Sequence, residues 1–204
     1  MEDRLMNDDK AVQGKRSPYT NKSTGNAIGF LIQQALSQMS IAVPVKVQAV
    51  YTGETTGYVD VLPLVGTVNG KGEFVKPVTL YHLPYARVQG GNAALIIDPV
   101  IGDKGLAVFT DADTSCVTAE SSEPQKPGSY RRFSQSDGFY IGGFLNRKPV
   151  TYVELKQDNT MVINATSGVT INGDVHVNGD VIANGISLQN HTHTGVHGET
   201  SKAH

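Results

Sequence analysis

A six-residue repeat near the C-terminus constrains this chain more than any other feature. Residues 169–174 read Val-Thr-Ile-Asn-Gly-Asp, residues 175–180 read Val-His-Val-Asn-Gly-Asp, and residues 181–186 read Val-Ile-Ala-Asn-Gly-Ile. A short fixed period means a structure made by stacking one small unit. The period is even, and side chains of an extended strand alternate between two faces, so each position keeps its face in every copy. Val169, Ile171, Val175, Val177, Val181 and Ala183 then share one face. Thr170, Asn172, Asp174, His176, Asn178, Asp180 and Asn184 share the other. One apolar and one polar face is the pattern of a half-buried sheet.

The apolar face needs a cover, and three arrangements compete. A β-meander would use each Asn-Gly as a two-residue type I′ turn, leaving four-residue strands with little to pack against. A single-chain hexapeptide helix needs more coils than three clean repeats supply. Three identical chains wound about a common axis bury the face by symmetry instead of length, and this homotrimer is the favoured reading. Ile186 and Leu188 break the parity. They require a one-residue shift near Gly185 and a second before the histidines, as β-bulges supply.

The repeat ends at His191-Thr-His193. Two histidines two apart in a strand lie on one face, so one chain offers two nitrogen ligands, too few for a closed site. Three chains offer six. Structural zinc takes four ligands, whereas six imidazoles suit an octahedral first-row ion such as iron(II). The plain alternative is a solvated histidine-rich tail.

Residues 175–196, Val-His-Val-Asn-Gly-Asp-Val-Ile-Ala-Asn-Gly-Ile-Ser-Leu-Gln-Asn-His-Thr-His-Thr-Gly-Val, resemble the C-terminal end of the central baseplate spikes of contractile-tailed bacteriophages, the Mu-like spike family. The resemblance implies an OB-type N-terminal barrel followed by a trimeric intertwined β-helix. It implies an apex where one iron ion is held by the His-x-His pair of each chain. His191 and His193 match that motif, and His197 and His204 lie beyond it. It further implies a virion protein at the tail tip, joined to the tail hub and tube and assembled in the host cytoplasm, which pierces the host outer membrane as the sheath contracts. A type VI secretion spike is a close variant of this reading. A tail fibre or adhesin that binds a surface receptor is the alternative of another class.

The rest of the chain reads as the base of that shaft. Residues 1–25 mix acids, bases, Asn, Ser and Gly and are expected to be flexible, without the apolar centre of a secretory signal. Residues 26–40 carry Ile28, Leu31, Ile32, Ala35, Leu36 and Met39 at three and four spacing, a helical stripe, with Thr24 or Asn26 as the cap. Such a helix either packs on its own barrel or docks on a neighbouring tail protein. Residues 41–118 read as short strands punctuated by Gly and Pro, a small barrel or sandwich. Leu83-Pro-Tyr-Ala-Arg-Val-Gln-Gly-Gly and Asp98-Pro-Val-Ile-Gly-Asp-Lys-Gly resemble the OB-type barrel of the spike family. Residues 119–149, rich in Ser and Pro, read as a connecting segment, residues 150–190 as the shaft and residues 191–204 as the apex.

Charge and motifs narrow the function. The 17 Lys and Arg against 19 Asp and Glu give a net charge of −2, so nucleic acid is not an expected partner. An OB-type nucleic-acid site also needs aromatic platforms within a basic groove, and here the Lys and Arg are scattered away from the tyrosines. Arg131 and Arg132 read as a solvated pair that salt-bridges a neighbouring chain. Cys116, the single cysteine, reads as a small buried hydrophobe. Asp111 and Asp113 lack calcium-loop spacing, and His82 stands alone as a structural residue. No P-loop, HExxH or nucleophile triad occurs, so the chain is not expected to be an enzyme.

Overall fold

The computed structural model describes residues 23–53, 57–69, 71–196, 198–199 and 201. Most of the segment read as a flexible N-terminus, together with His197 and His204, lies outside the described residues. The described chain is mainly β, with one helix, and divides into two units, Met1–Arg147 and Lys148–His204. Among the described residues no helix is long and apolar enough to cross a membrane.

The first unit opens with α1, Thr24–Ser37. Its cap is Ser23, in extended backbone, whose hydroxyl accepts the Asn26 N–H at 3.2 Å. A Ser oxygen at this position satisfies one of the first-turn donors that have no partner within the helix. None of its residues is buried, and Ile28, Leu31, Ile32 and Leu36 are each more than half exposed. The expected packing of this stripe on the chain's own barrel is not formed.

Nine strands follow: β1 (Ala42–Tyr51), β2 (Tyr58–Pro63), β3 (Thr67–Val68), β4 (Phe74–Val75), β5 (Leu80–Pro84), β6 (Val88–Gly90), β7 (Ala93–Leu95), β8 (Lys104–Phe109) and β9 (Gly138–Gly142). Five form one antiparallel sheet in the order β5-β2-β1-β8-β9, and β3-β4 and β6-β7 are separate two-stranded ribbons. The sheet curls into a half-barrel whose two edge strands approach each other. Tyr85 bridges Tyr140 in parallel, and the Ala86 N–H donates to the Tyr140 carbonyl at 2.9 Å.

Alternation explains the core. Val45 and Val47 of β1, Val59 and Val61 of β2, and Ala107 and Phe109 of β8 point inward, while Lys46 and Gln48 point out. Leu80, Leu83, Tyr85 and Tyr140 complete the cluster. Tyr140 is 1% exposed, and its ring lies over the paired Gly105 and Gly142. A Cβ at Gly105 would fall 2.4 Å from that ring, so only glycine fits there. The fifth strand, β9, thus comes from within residues 119–149, the segment read from sequence as a connector. Its inward residue, Tyr140, is the largest of the fully buried side chains of the sheet.

The second unit holds three short hairpins: β10 (Tyr152–Leu155) with β11 (Met161–Asn164), β12 (Ile182–Ala183) with β13 (Ile186–Ser187), and β14 (Thr194–Gly195) with β15 (Gly198–Glu199). Residues 169–180, the first two hexads, form no strand with the described chain. No described residue of this unit is buried. Val169, Ile171, Val175, Val177 and Val181 are 42–64% exposed.

Candidate metal-binding apex

The candidate site is built on the third hexad. Asn184 and Gly185 both have positive φ, 50° and 84°, which is the type I′ geometry of a two-residue hairpin. Ala183 pairs with Ile186 and Ile182 with Ser187, and the Leu188 N–H donates to the Val181 carbonyl at 2.9 Å. Residues directly opposite in such a ribbon share a face. Val181, Ala183, Ile186 and Leu188 therefore lie together, and Asp180, Ile182, Ser187 and Gln189 lie on the reverse. The parity break at Ile186 and Leu188 is thus the reversal of a tight turn, and the expected bulge at Gly185 is absent.

The end of the ribbon is tied by polar groups. The Gln189 N–H donates to Asp180 Oδ1 at 3.1 Å and its side-chain amide to the Gly179 carbonyl at 3.0 Å. Hydrogen bonds from the Ser187 hydroxyl and then the Gln189 N–H hold the Asp180 carboxyl below its usual range. A turn follows, in which Ser187 Oγ accepts the Asn190 N–H at 3.0 Å and the His191 N–H donates to the Ser187 carbonyl at 3.1 Å.

That turn fixes the first imidazole. His191 Nδ1 faces two backbone carbonyls, Ser187 at 3.0 Å and Leu188 at 2.9 Å. Two acceptors opposite one ring nitrogen require it to carry the proton, which leaves the lone pair on Nε2. A carbonyl on the distal nitrogen is the usual support of a metal-binding histidine. The His193 ring stands edge-on to it, with centroids 5.0 Å apart. The two predicted ligands are side by side. Among the described residues no group of three or more His, Cys, Asp or Glu converges on one point. Among the described residues the site is a pair of imidazole donors, short of a closed ligand shell.

Other polar residues singled out from the sequence have partners in the first unit. His82 stacks on Tyr58, with centroids 4.2 Å apart, and its backbone N–H donates to Asp60 Oδ1 at 2.8 Å. Asp60 also accepts the Tyr51 hydroxyl at 3.0 Å. Arg131 bridges the buried Asp113 and Asp137, both at 3.0 Å, and Arg132 pairs with Asp111 at 3.2 Å. These arginines therefore pair within the chain, a correction to the expected bridge to a neighbour. Hydrogen bonds from Ser129 and Ser115 hold the Asp113 carboxyl well below the usual range, and Arg131 adds to the effect. A cleft of about 400 Å³ beside them is lined by Lys126, Ser129, Arg131 and Arg132 among others. Its arginines are already neutralised by Asp111, Asp113 and Asp137, so it has little excess charge to draw an anion.

A second polar cluster escaped the sequence reading. The Tyr85 hydroxyl donates to Asp98 Oδ1 at 2.5 Å, and Arg87 reaches Asp98 at 3.0 Å and the Gly53 carbonyl at 3.1 Å. It ties the rim of β5 to the segment after β7. Cys116 is half-buried. No protein-family model matches this chain, and no curated protein matches its sequence.

Proposed function

We propose that the chain is the central spike of a contractile tail: a homotrimer whose C-terminal units wind into a needle and whose tip is closed by one metal ion. The observation that carries this reading is the second unit. It has the alternating pattern of a half-buried sheet, yet none of its described residues is buried in one chain. Identical copies supply the missing cover without any further sequence. The paired imidazoles agree, since a two-donor apex is incomplete in a single chain.

In this reading His191 and His193 of three chains hold the ion, and six imidazoles favour an octahedral ion such as iron(II). When bound, the ion cross-links the three C-termini into one point. The Ser187 and Leu188 carbonyls orient His191 for this task. The strand order of the first unit, with its parallel return between β5 and β9, supports an OB-type barrel, which would seat the spike on the tail hub and tube. Its work is mechanical: the contracting sheath supplies the energy, and the wound shaft transmits force to the host outer membrane.

The test is metal content together with solution mass, on wild type and on His191→Ala/His193→Ala. The expected result is a trimer holding one iron per three chains, with the iron absent from the double variant. A metal-free monomer would overturn the reading and point to a receptor-binding tail module.

A further inference from the structure

We propose that the outer face of the sheet around Asp60 is a binding site for a guanidinium group, the head of an arginine side chain on a partner protein. The site lies wholly within the first unit, so it does not depend on the trimer or on the metal.

Two bulges build it. Val59 and Val61 of β2 point into the core, so Asp60 between them points to the outer face. On one side, β5 sets Leu83 against Val59 and Leu80 against Val61, which leaves both Tyr81 and His82 opposite the single Asp60. On the other side, β1 sets Val47 against Val61 and Ala49 against Asp60, with Gln48 as the extra residue. A bulge re-aims side chains, and bulges gather beside functional sites. Here both neighbours of one carboxylate are bulged. His82 takes φ 60° within its bulge. That conformation costs a residue bearing a Cβ, and such strain concentrates at ligand sites.

The bulges leave an aromatic surround. Tyr51 and Tyr58 are cross-strand partners, and directly opposite residues share a face. The His82 ring stacks on Tyr58 with centroids 4.2 Å apart and tilts against Tyr51 at 5.6 Å. Tyr81 is 71% and Tyr51 48% exposed, so ring surface stays open to an incoming group.

Charge selects the occupant. Asp60 is only 8% exposed, and a carboxylate so covered is normally paired with a cation. Its two bonds come from neutral donors, the His82 N–H on Oδ1 and the Tyr51 hydroxyl on Oδ2. Among the described residues no ion pair reaches it. An ionised carboxylate offers about four acceptor sites, so each oxygen keeps one to spare. A guanidinium donates two parallel N–H bonds to such a pair of oxygens and stacks its plane on aromatic rings. An ammonium meets the charge as a single point. A neutral sugar would stack on the tyrosines but leave the carboxylate uncompensated.

The experiment titrates full-length protein with N-acetylarginine amide, N-acetyllysine amide and methyl glucoside, following the ring resonances of Tyr51, Tyr58, Tyr81 and His82. The arginine probe is expected to shift those resonances saturably, the lysine probe to bind more weakly and the sugar not to bind. Asp60→Asn removes the charge and should weaken the arginine probe ~10-fold or more. Tyr81→Ala removes an exposed ring and should weaken it roughly threefold. Asp111→Asn, at an exposed carboxylate of the same unit that pairs with Arg132, should leave it unchanged. Should Asp60→Asn fail to fold, the exposed Tyr81 position decides alone. Shifts that are absent, or that survive the variants undiminished, would overturn the site. Saturable binding of the sugar with the arginine probe inert would overturn it too and mark a glycan platform. Equal affinity for the lysine probe would overturn the choice of guanidinium. Solution mass and metal content test the spike reading separately, so failure of one is distinct from failure of the other.

Discussion

Tyr140 carries the junction where the curled sheet's two edges meet, and its hydroxyl is buried without a hydrogen-bond partner among the described residues. An unpaired buried hydroxyl costs free energy that a phenylalanine does not. Tyr140→Phe is therefore expected to leave stability at neutral pH unchanged or to raise it by up to ~1 kcal/mol in denaturant titration. Burial also pushes the Tyr140 phenol up to about 12 from an ordinary 10.0. The folded state thus favours the proton-bound form. That contribution is whole below about pH 10 and is lost as the pH climbs toward about 12. Tyr140→Phe should shrink the alkaline loss of stability without abolishing it, because Tyr51 and Tyr85 are raised too, the first by its bond to Asp60 and the second by burial. An alkaline limb identical to wild type would contradict this assignment. Nothing in the local sequence singles out Tyr140. Gly138-Phe-Tyr-Ile-Gly is one short alternation within a Ser- and Pro-rich stretch, and its burial depends on a sheet edge supplied by residues some fifty positions earlier. His191 was legible as a candidate ligand from the His-x-His motif at the end of the hexads. The carbonyls that orient it were not, because they belong to a turn set by the hairpin before it.

The three hexads carry the same Asn-Gly, yet only Asn184-Gly185 turns the chain into a hairpin. Cross-strand partners explain the difference. A turn at 178–179 would set Val177 opposite Asp180 and His176 opposite Val181, apolar against polar. At 184–185 it sets Ala183 opposite Ile186 and Val181 opposite Leu188. The signal is in the sequence: the third hexad ends in Ile186 where the others end in Asp174 and Asp180. That residue breaks the parity of the repeat, and the break reads as a bulge until the pairing across the turn is known. Gly185 sits at φ 84°, a left-handed conformation that costs a residue bearing a Cβ roughly 1–2 kcal/mol. Gly185→Ala should therefore lower the stability of the tip by about that amount, read as faster exchange at the Leu188 amide, while the first unit keeps its denaturation midpoint. Unchanged exchange would mean that the turn does not govern the tip. The helix teaches the same lesson in reverse. Its stripe and approximate position were legible, but the cap is Ser23 and the chain's own barrel does not cover the stripe. Periodicity finds an apolar face and leaves its partner unnamed.

The two units differ in where their stability originates, and this gives the whole molecule a testable signature. The ten buried apolar residues of the core all belong to the first unit, whose sheet closes within one chain. Its unfolding is an intramolecular event and should be independent of chain concentration. The second unit has no buried side chain among its described residues, and the proposed trimer assigns its order to association. Anything that binds only the folded state raises its stability by mass action, other copies of the chain and a metal included. Full-length protein should accordingly unfold in two transitions. One should stay fixed on dilution and on addition of a chelator. The other should move to higher temperature with chain concentration and to lower temperature when metal is withdrawn. Calorimetry across a hundredfold range of concentration, with and without chelator, separates the two. A single transition insensitive to both would mean that the second unit draws its order from within one chain. The exposed valines of its hexads would then need a cover that no copy of the protein provides.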